Sequence, residues 1–178
     1  MYKRRRTAMP SLQTDPTSSS SGVAGSRYCM IGDSLFFRGQ VNGGENATAL
    51  VFASDAQLEL LQQSNLMYVD STFRVVPSLL FQLFTIFVPH ADHSFPVLFA
   101  LMIRKTTELY AAVLSKVHEL IPNFHPTPVI ADFEEAPAAA VRSVFGGDVT
   151  VFGCRFHFAQ AREIQFRLAY TIKKYANA

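Results

Sequence analysis

The stretch Leu66-Met67-Tyr68-Val69-Asp70-Ser71-Thr72-Phe73 decides the fold of this chain. Its apolar and aromatic residues read as a strand, and it carries one carboxylate, Asp70. A charge in such a run is costly to bury without a partner. A second stretch has the same form: Pro128-Val129-Ile130-Ala131-Asp132-Phe133-Glu134, with Asp132 where the apolar run stops. Two acids at neighbouring strand ends make a hard, oxygen-rich site suited to Mg²⁺ and to phosphate chemistry. No third acid in the chain obviously completes it.

Working outward from Asp70, Ser54 reads as a helix N-cap, with Leu58, Leu60 and Leu61 following and an end near Asn65. Residues 67–76 read as a strand stopped by Pro77, residues 79–88 as a second strand stopped by Pro89, and residues 95–103 as a third. The turns between them are short, which favours antiparallel hairpins over crossovers. Lys105-Thr106-Thr107-Glu108 opens a helix on which Leu109, Val113, Leu114, Val117 and Leu120 recur at helical spacing, and Pro122 ends it. Residues 128–132 are a fourth strand. Residues 134–145 are a helix with Pro137 in its first turn, closed by Gly146-Gly147. Residues 149–154 are a fifth strand, and 156–175 a long helix with Ala161, Ile164, Leu168, Ile172 and Tyr175 on one stripe.

This order predicts an α/β chain: a three-strand antiparallel meander, then strand–helix repeats, in one mixed sheet with helices on both faces. In such sheets chemistry gathers at strand ends near a topological switch point. If the fourth strand lies beside the first, Asp70 and Asp132 become neighbours despite their distance in sequence.

The 178 residues suggest one domain plus a tail, and 49% hydrophobic against 17% charged residues support a sizeable core. Residues 1–27 read as a disordered basic and Ser/Pro-rich tail, 28–48 as an uncertain linker broken by Gly39, Gly43 and Gly44, and 49–178 as the domain. Phe81, Phe84, Phe87, Phe95 and Phe99 read as core. The net charge of +2 is unevenly spread, with basic ends flanking a mildly acidic middle. That pattern fits a nucleic-acid partner as well as ordinary solvated faces. Cys29 and Cys154 are placed too differently to favour a disulfide, which points to a reducing compartment. No apolar run has the length of a membrane span. Lys3-Arg4-Arg5-Arg6 is a short match to a nuclear localisation signal.

Five elements in order carry a more specific resemblance. Asp70-Ser71-Thr72-Phe73 resembles the Asp-Gly-Thr-Phe strand of the Mutator-like (MULE) transposase domain. Leu80-Phe81-Gln82-Leu83-Phe84-Thr85-Ile86 is similar to that family's second strand. Phe95-Pro96-Val97-Leu98-Phe99-Ala100-Leu101 with Lys105-Thr106, Asp132-Phe133-Glu134, and Gly153-Cys154-Arg155-Phe156-His157-Phe158 resemble later elements. Together they span about residues 50–170. Ser71 in place of glycine is a small departure, since serine suits a strand better. The basic segment from Tyr2 to Arg6 and the prolines after it look like the stretch that joins a FLYWCH-type zinc finger to such a domain, although no finger is present.

The resemblance implies a ribonuclease H-like fold and a DDE transposase core of transposon origin. Asp70 is then the first acid and Asp132 the second, both holding Mg²⁺ or Mn²⁺ for cutting and joining DNA. The family's third acid, a late glutamate, would follow a helical insertion, and Ala178 precedes that position. The implied expectation is a C-terminally truncated domain, inactive as a transposase by itself, nuclear and bound to DNA. A partly bare sheet face would then favour self-association. A domesticated, noncatalytic DNA- or protein-binding module is the alternative, and a nuclease using only the two aspartates a third reading.

The resemblance implies that Cys154 and His157 are the family's Cys-x-x-His element, candidates for accessory site residues; two ligands alone are too few for a structural zinc, and a buried cysteine beside a helix-start histidine is the plainer reading. Arg162, Arg167, Lys173 and Lys174 are candidates for DNA phosphate contacts, or a solvated helix face. Glu134 and Glu135 read as acids favoured at a helix N-terminus.

Overall fold

The computed structural model describes residues 29–73, 76, 80–132 and 134–154. Nine strands and three helices fall within them. A small hairpin pairs β1 (Met30–Ile31) with β2 (Ser34–Leu35). The other strands form one sheet: β3 (Phe37–Asn42), β4 (Thr48–Phe52), β5 (Met67–Thr72), β6 (Gln82–His90), β7 (His93–Met102), β8 (Val129–Ala131) and β9 (Val151–Gly153). The helices are α1 (Asp55–Gln63), α2 (Thr107–Leu120) and α3 (Glu135–Phe145).

The sheet order is β3-β4-β7-β6-β5-β8-β9. From β3 to β5 all pairings are antiparallel; β8 and β9 then add parallel to β5. The meander β5-β6-β7 and the strands β8 and β9 are the α/β mixed sheet that the hydrophobic pattern predicts, in a topology compatible with a ribonuclease H-like fold. The crossovers β7-α2-β8 and β8-α3-β9 both move in the same direction across the sheet. Right-handed connections put both helices on the same face for that reason, and α2 and α3 pack against each other. Met67, Val69, Val129 and Ala131 point to this face and are buried, with Leu109, Val113, Leu114, Val117 and Val141 above them in the same core. The helix predicted at 156–175 lies outside the described residues.

Three differences from the sequence reading have local causes. Residues 37–42, within the stretch read as linker, form β3, and α2 packs against it. The glycines that obscured it serve the geometry: Gly39, at φ 122°, sits at a register shift in the β3–β4 pairing, and Gly43 lets the turn after β3 touch the backbone of α2. Pro89 does not stop β6. The β6–β7 hairpin continues to His90 and His93 around Ala91-Asp92, both at positive φ, the conformation of a tight two-residue hairpin turn. Pro89 and Pro96 fit because β5 and β4 stop short of them, leaving an unpaired strand edge at each. Of the phenylalanines read as core, Phe84 is buried and Phe87 and Phe99 are half-buried, whereas Phe81 and Phe95 are exposed. Phe95 lies on the projecting hairpin, and Phe81 enters β6 at the sheet's end.

Local chemistry fixes the connections. Ser54 caps α1 with a capping box: its Oγ accepts from the Gln57 N–H at 3.3 Å, and Gln57 Oε1 accepts from the Ser54 N–H at 2.8 Å. Gln57 Nε2 then donates to the Pro96 carbonyl at 3.0 Å, tying α1 to β7. Arg38 on β3 donates through Nε to the Ala53 carbonyl and through Nη2 to Asp55 Oδ1, both at 2.6 Å. Neither Cys29 nor Cys154 is in a disulfide.

Candidate active site

The parallel register of β5, β8 and β9 positions the candidate residues. Tyr68 lies opposite Ile130, and Ala131 opposite Gly153. Continued to the strand ends, the same register sets Asp70, Asp132 and Cys154 in one row across three neighbouring strands. The Cys154 N–H donates to the Ala131 carbonyl at 2.7 Å and extends the β8–β9 ladder up to that row. Side chains alternate along a strand, so the three residues share the face opposite the buried Val69 and Ala131 and the half-buried Val151. Neighbours in such a row are about 5 Å apart. The row stands where β5, antiparallel to β6, is parallel to β8, at the carboxyl ends of the parallel strands.

Each acid is oriented locally. Asp70 Oδ2 accepts from Thr72 Oγ1 at 3.3 Å. Asp132 Oδ1 accepts from the Glu134 N–H at 3.1 Å, so this carboxylate also anchors the start of α3. Glu134 is the N-cap of α3, yet its side chain makes no cap hydrogen bond. It turns instead to Lys105, whose Nζ lies 3.2 Å from Glu134 Oε1. Both α2 and α3 begin at this end of the sheet, and helix N-termini favour anions.

Behind the acids lies a polar cluster that single-sequence reading does not find. Tyr110 on α2 is fully buried; its hydroxyl accepts from Gln82 Nε2 at 2.7 Å and lies 3.3 Å from Ser71 Oγ. Burial pushes the Tyr110 phenol above its ordinary 10.0. The hydrogen bonds to Ser71 and Gln82 pull it down, and the charges of Glu134 and Asp132 push it up. Gln82 is itself fully buried on β6. The signal in the sequence was Gln82 alone, a polar residue at an inward strand position.

The donor chemistry fits a hard divalent cation at the Asp70–Asp132 pair. Cys154 is a softer ligand and does not extend that oxygen set. Among the described residues no group of three or more His, Cys, Asp or Glu is arranged to hold a metal ion. His157, Arg162, Arg167, Lys173 and Lys174 lie outside the described residues.

The order of these elements is a family pattern. A family model described as the MULE transposase domain matches residues 66–161, just over half of the chain. The chain belongs to the MULE transposase domain family. The match begins at the threshold of β5 and runs past Cys154, so it takes in both aspartates and all three strands of the row. No curated protein and no solved structure gives a significant match. The MULE domain here therefore carries a transposon-derived transposase architecture, with β3, β4 and α1 ahead of the matched region. Among the described residues no helix is long and apolar enough to cross a membrane.

Proposed function

We propose that this MULE domain acts on DNA phosphodiesters, with Asp70 and Asp132 as the acids that hold Mg²⁺ or Mn²⁺ in a DDE-type centre. The observation that carries the reading is the shared row of Asp70 and Asp132 on adjacent parallel strand ends. When bound, the cation would polarise a phosphoryl oxygen and lower the pKa of an attacking water or 3′-hydroxyl. The chain's own residues do the rest. Thr72 and the Glu134 N–H orient the two carboxylates. Lys105 pairs with Glu134 beside them. A full DDE centre needs a further acid. The two carboxylates of the described row would alone hold the cation weakly, with little or no turnover. Basic residues among Arg162, Arg167, Lys173 and Lys174 would add salt-sensitive phosphate contacts, and a nuclear location follows from a DNA substrate.

The test is Mn²⁺ titration of the wild type, Asp70→Asn and Asp132→Asn, read by calorimetry and by thermal shift. Cation at a hundred times its Kd adds about 2.7 kcal/mol to the folded state. Wild type should gain thermal stability with Mn²⁺, and either asparagine variant should lose that gain. Equal gains in all three proteins would remove the acids from the metal site. A wild type that binds DNA with no response to Mn²⁺ would favour the noncatalytic binding module, for which the presence of only two described carboxylates in the row is the supporting observation.

A further inference from the structure

Two exposed aromatic rings stand at the end of the sheet that carries the acid row. Phe73 follows β5 by one residue and Phe81 precedes β6 by one, so both rings lie at the same end of the sheet as Asp70. They are 43% and 45% exposed, yet they touch each other edge to face, with centroids 5.6 Å apart. The Phe81 N–H donates to the Met102 carbonyl at 2.8 Å, which pins that residue to β7. Lys105 Nζ stands 5.7 Å from the centre of the Phe73 ring and 3.2 Å from Glu134 Oε1. A continuous chain of contacts thus runs from Phe81 through Phe73, Lys105 and Glu134 to Asp132, whose Oδ1 accepts from the Glu134 N–H.

Single exposed apolar residues are ordinary. A pair of rings held in contact, carrying a cation and adjoining a phosphate-seeking site, is a different object. Flat π-faces beside a cation suit an unstacked nucleobase, because every base has a π-face and the cation offsets backbone charge. Phenylalanine offers no hydrogen bond, so such a platform reads no sequence. A duplex keeps its bases stacked inside and cannot use it.

We propose that Phe73, Phe81 and Lys105 form a stacking platform for an unpaired base of a DNA strand whose phosphate lies at Asp70 and Asp132. The proposal rests on the reading of that acid pair as a DNA site, and it selects a frayed or single-stranded substrate over intact duplex. Lys105 serves twice: it lies against the Phe73 ring and offsets Glu134, so the approaching strand meets less negative charge.

The experiment uses the full chain with Ca²⁺, to bridge the acids and the phosphate, and a short single-stranded DNA carrying one 2-aminopurine beside a duplex of equal length. Wild type should quench the 2-aminopurine and bind the single strand more tightly than the duplex. The double variant Phe73→Leu/Phe81→Leu keeps apolar bulk without the π-faces. It should lose the quench and about tenfold or more in single-strand affinity, with duplex affinity within twofold of wild type. Phe81→Tyr should retain the quench. An unquenched wild-type complex, or a double-leucine variant that binds the single strand within twofold of wild type, overturns the platform. A leucine variant that changes only the oligomeric state also overturns it, marking the patch as a self-contact. Mn²⁺ titration separates the two readings. Quenching that persists without any Mn²⁺ response supports the platform while the metal reading falls. A normal Mn²⁺ response without quenching leaves the acids in place and removes the platform.

Discussion

Replacing Tyr110 with phenylalanine probes the polar cluster behind the acids with little change of shape. The variant removes the hydroxyl that accepts from Gln82 Nε2 at 2.7 Å and faces Ser71 Oγ at 3.3 Å. Gln82 is fully buried, so water cannot replace the lost partner. Its amide then keeps only the Met102 sulfur at 3.3 Å, a weak acceptor. A buried donor left in this state costs about 1–3 kcal/mol. In a domain of this size that lowers Tm by roughly 2–4 °C per kcal/mol. Urea unfolding of wild type, Tyr110→Phe, Gln82→Leu and the double variant measures it as a cycle. Removing both partners should cost less than the sum of the single losses, because the double variant leaves no buried amide unpaired. The same phenol predicts an alkaline weakness. The folded protein holds the Tyr110 proton more tightly than the unfolded chain, since burial raises the phenol above 10.0. The stability tied to that proton is whole below about pH 10 and is lost as pH rises through the higher folded value. Tyr110→Phe should flatten this part of the stability profile. A single variant within about 0.5 kcal/mol of wild type, or strict additivity in the cycle, would refute the reasoning.

Other outcomes follow from the same geometry. A Cβ on Gly43 would meet Leu109 Cα and lie 2.5 Å from Leu109 N and 2.8 Å from the Glu108 carbonyl carbon, all backbone. Gly43→Ala should therefore destabilise by about 1–3 kcal/mol or more by displacing α2, visible as a lower urea midpoint; an unchanged midpoint would show that the β3–β4 turn yields freely. Ser54→Ala removes the α1 capping box and should cost about 1 kcal/mol, whereas Ser54→Asp should recover most of it in the same unfolding assay. Asp132→Ala should loosen the start of α3 by losing the bond to the Glu134 N–H, seen as faster amide exchange there, while Asp132→Asn keeps that bond and loses only the Mn²⁺ response.

Much of the site was legible in the chain. The two aspartates stand at the ends of apolar strands, and short turns versus helical spacers separate hairpins from crossovers. Those features predicted the meander; the neighbouring of β5 and β8 stood only as a condition, which the sheet order meets. The local signals failed where tertiary pairing overrode them. Pro89 looks like a strand end, yet it is tolerated, as Pro96 is within β7, where β5 and β4 have already stopped. Phe81 and Phe95 look like core because phenylalanine usually is, and only the sheet's outline shows that they project beyond it.

The sequence by itself determined the elements, because hydrophobic period, caps and glycine or proline punctuation act within a few residues of one another. It also supplied the two acids. What only the tertiary structure decided is what stands beside them. Tyr110, Gln82 and Ser71 are separated by up to 39 residues, and Lys105 and Glu134 by 29. They meet because right-handed crossovers fold α2 and α3 over the same face and begin both helices at the carboxyl ends of the parallel strands. Strand register, which no local pattern encodes for a parallel pair, set Asp70 and Asp132 into one row.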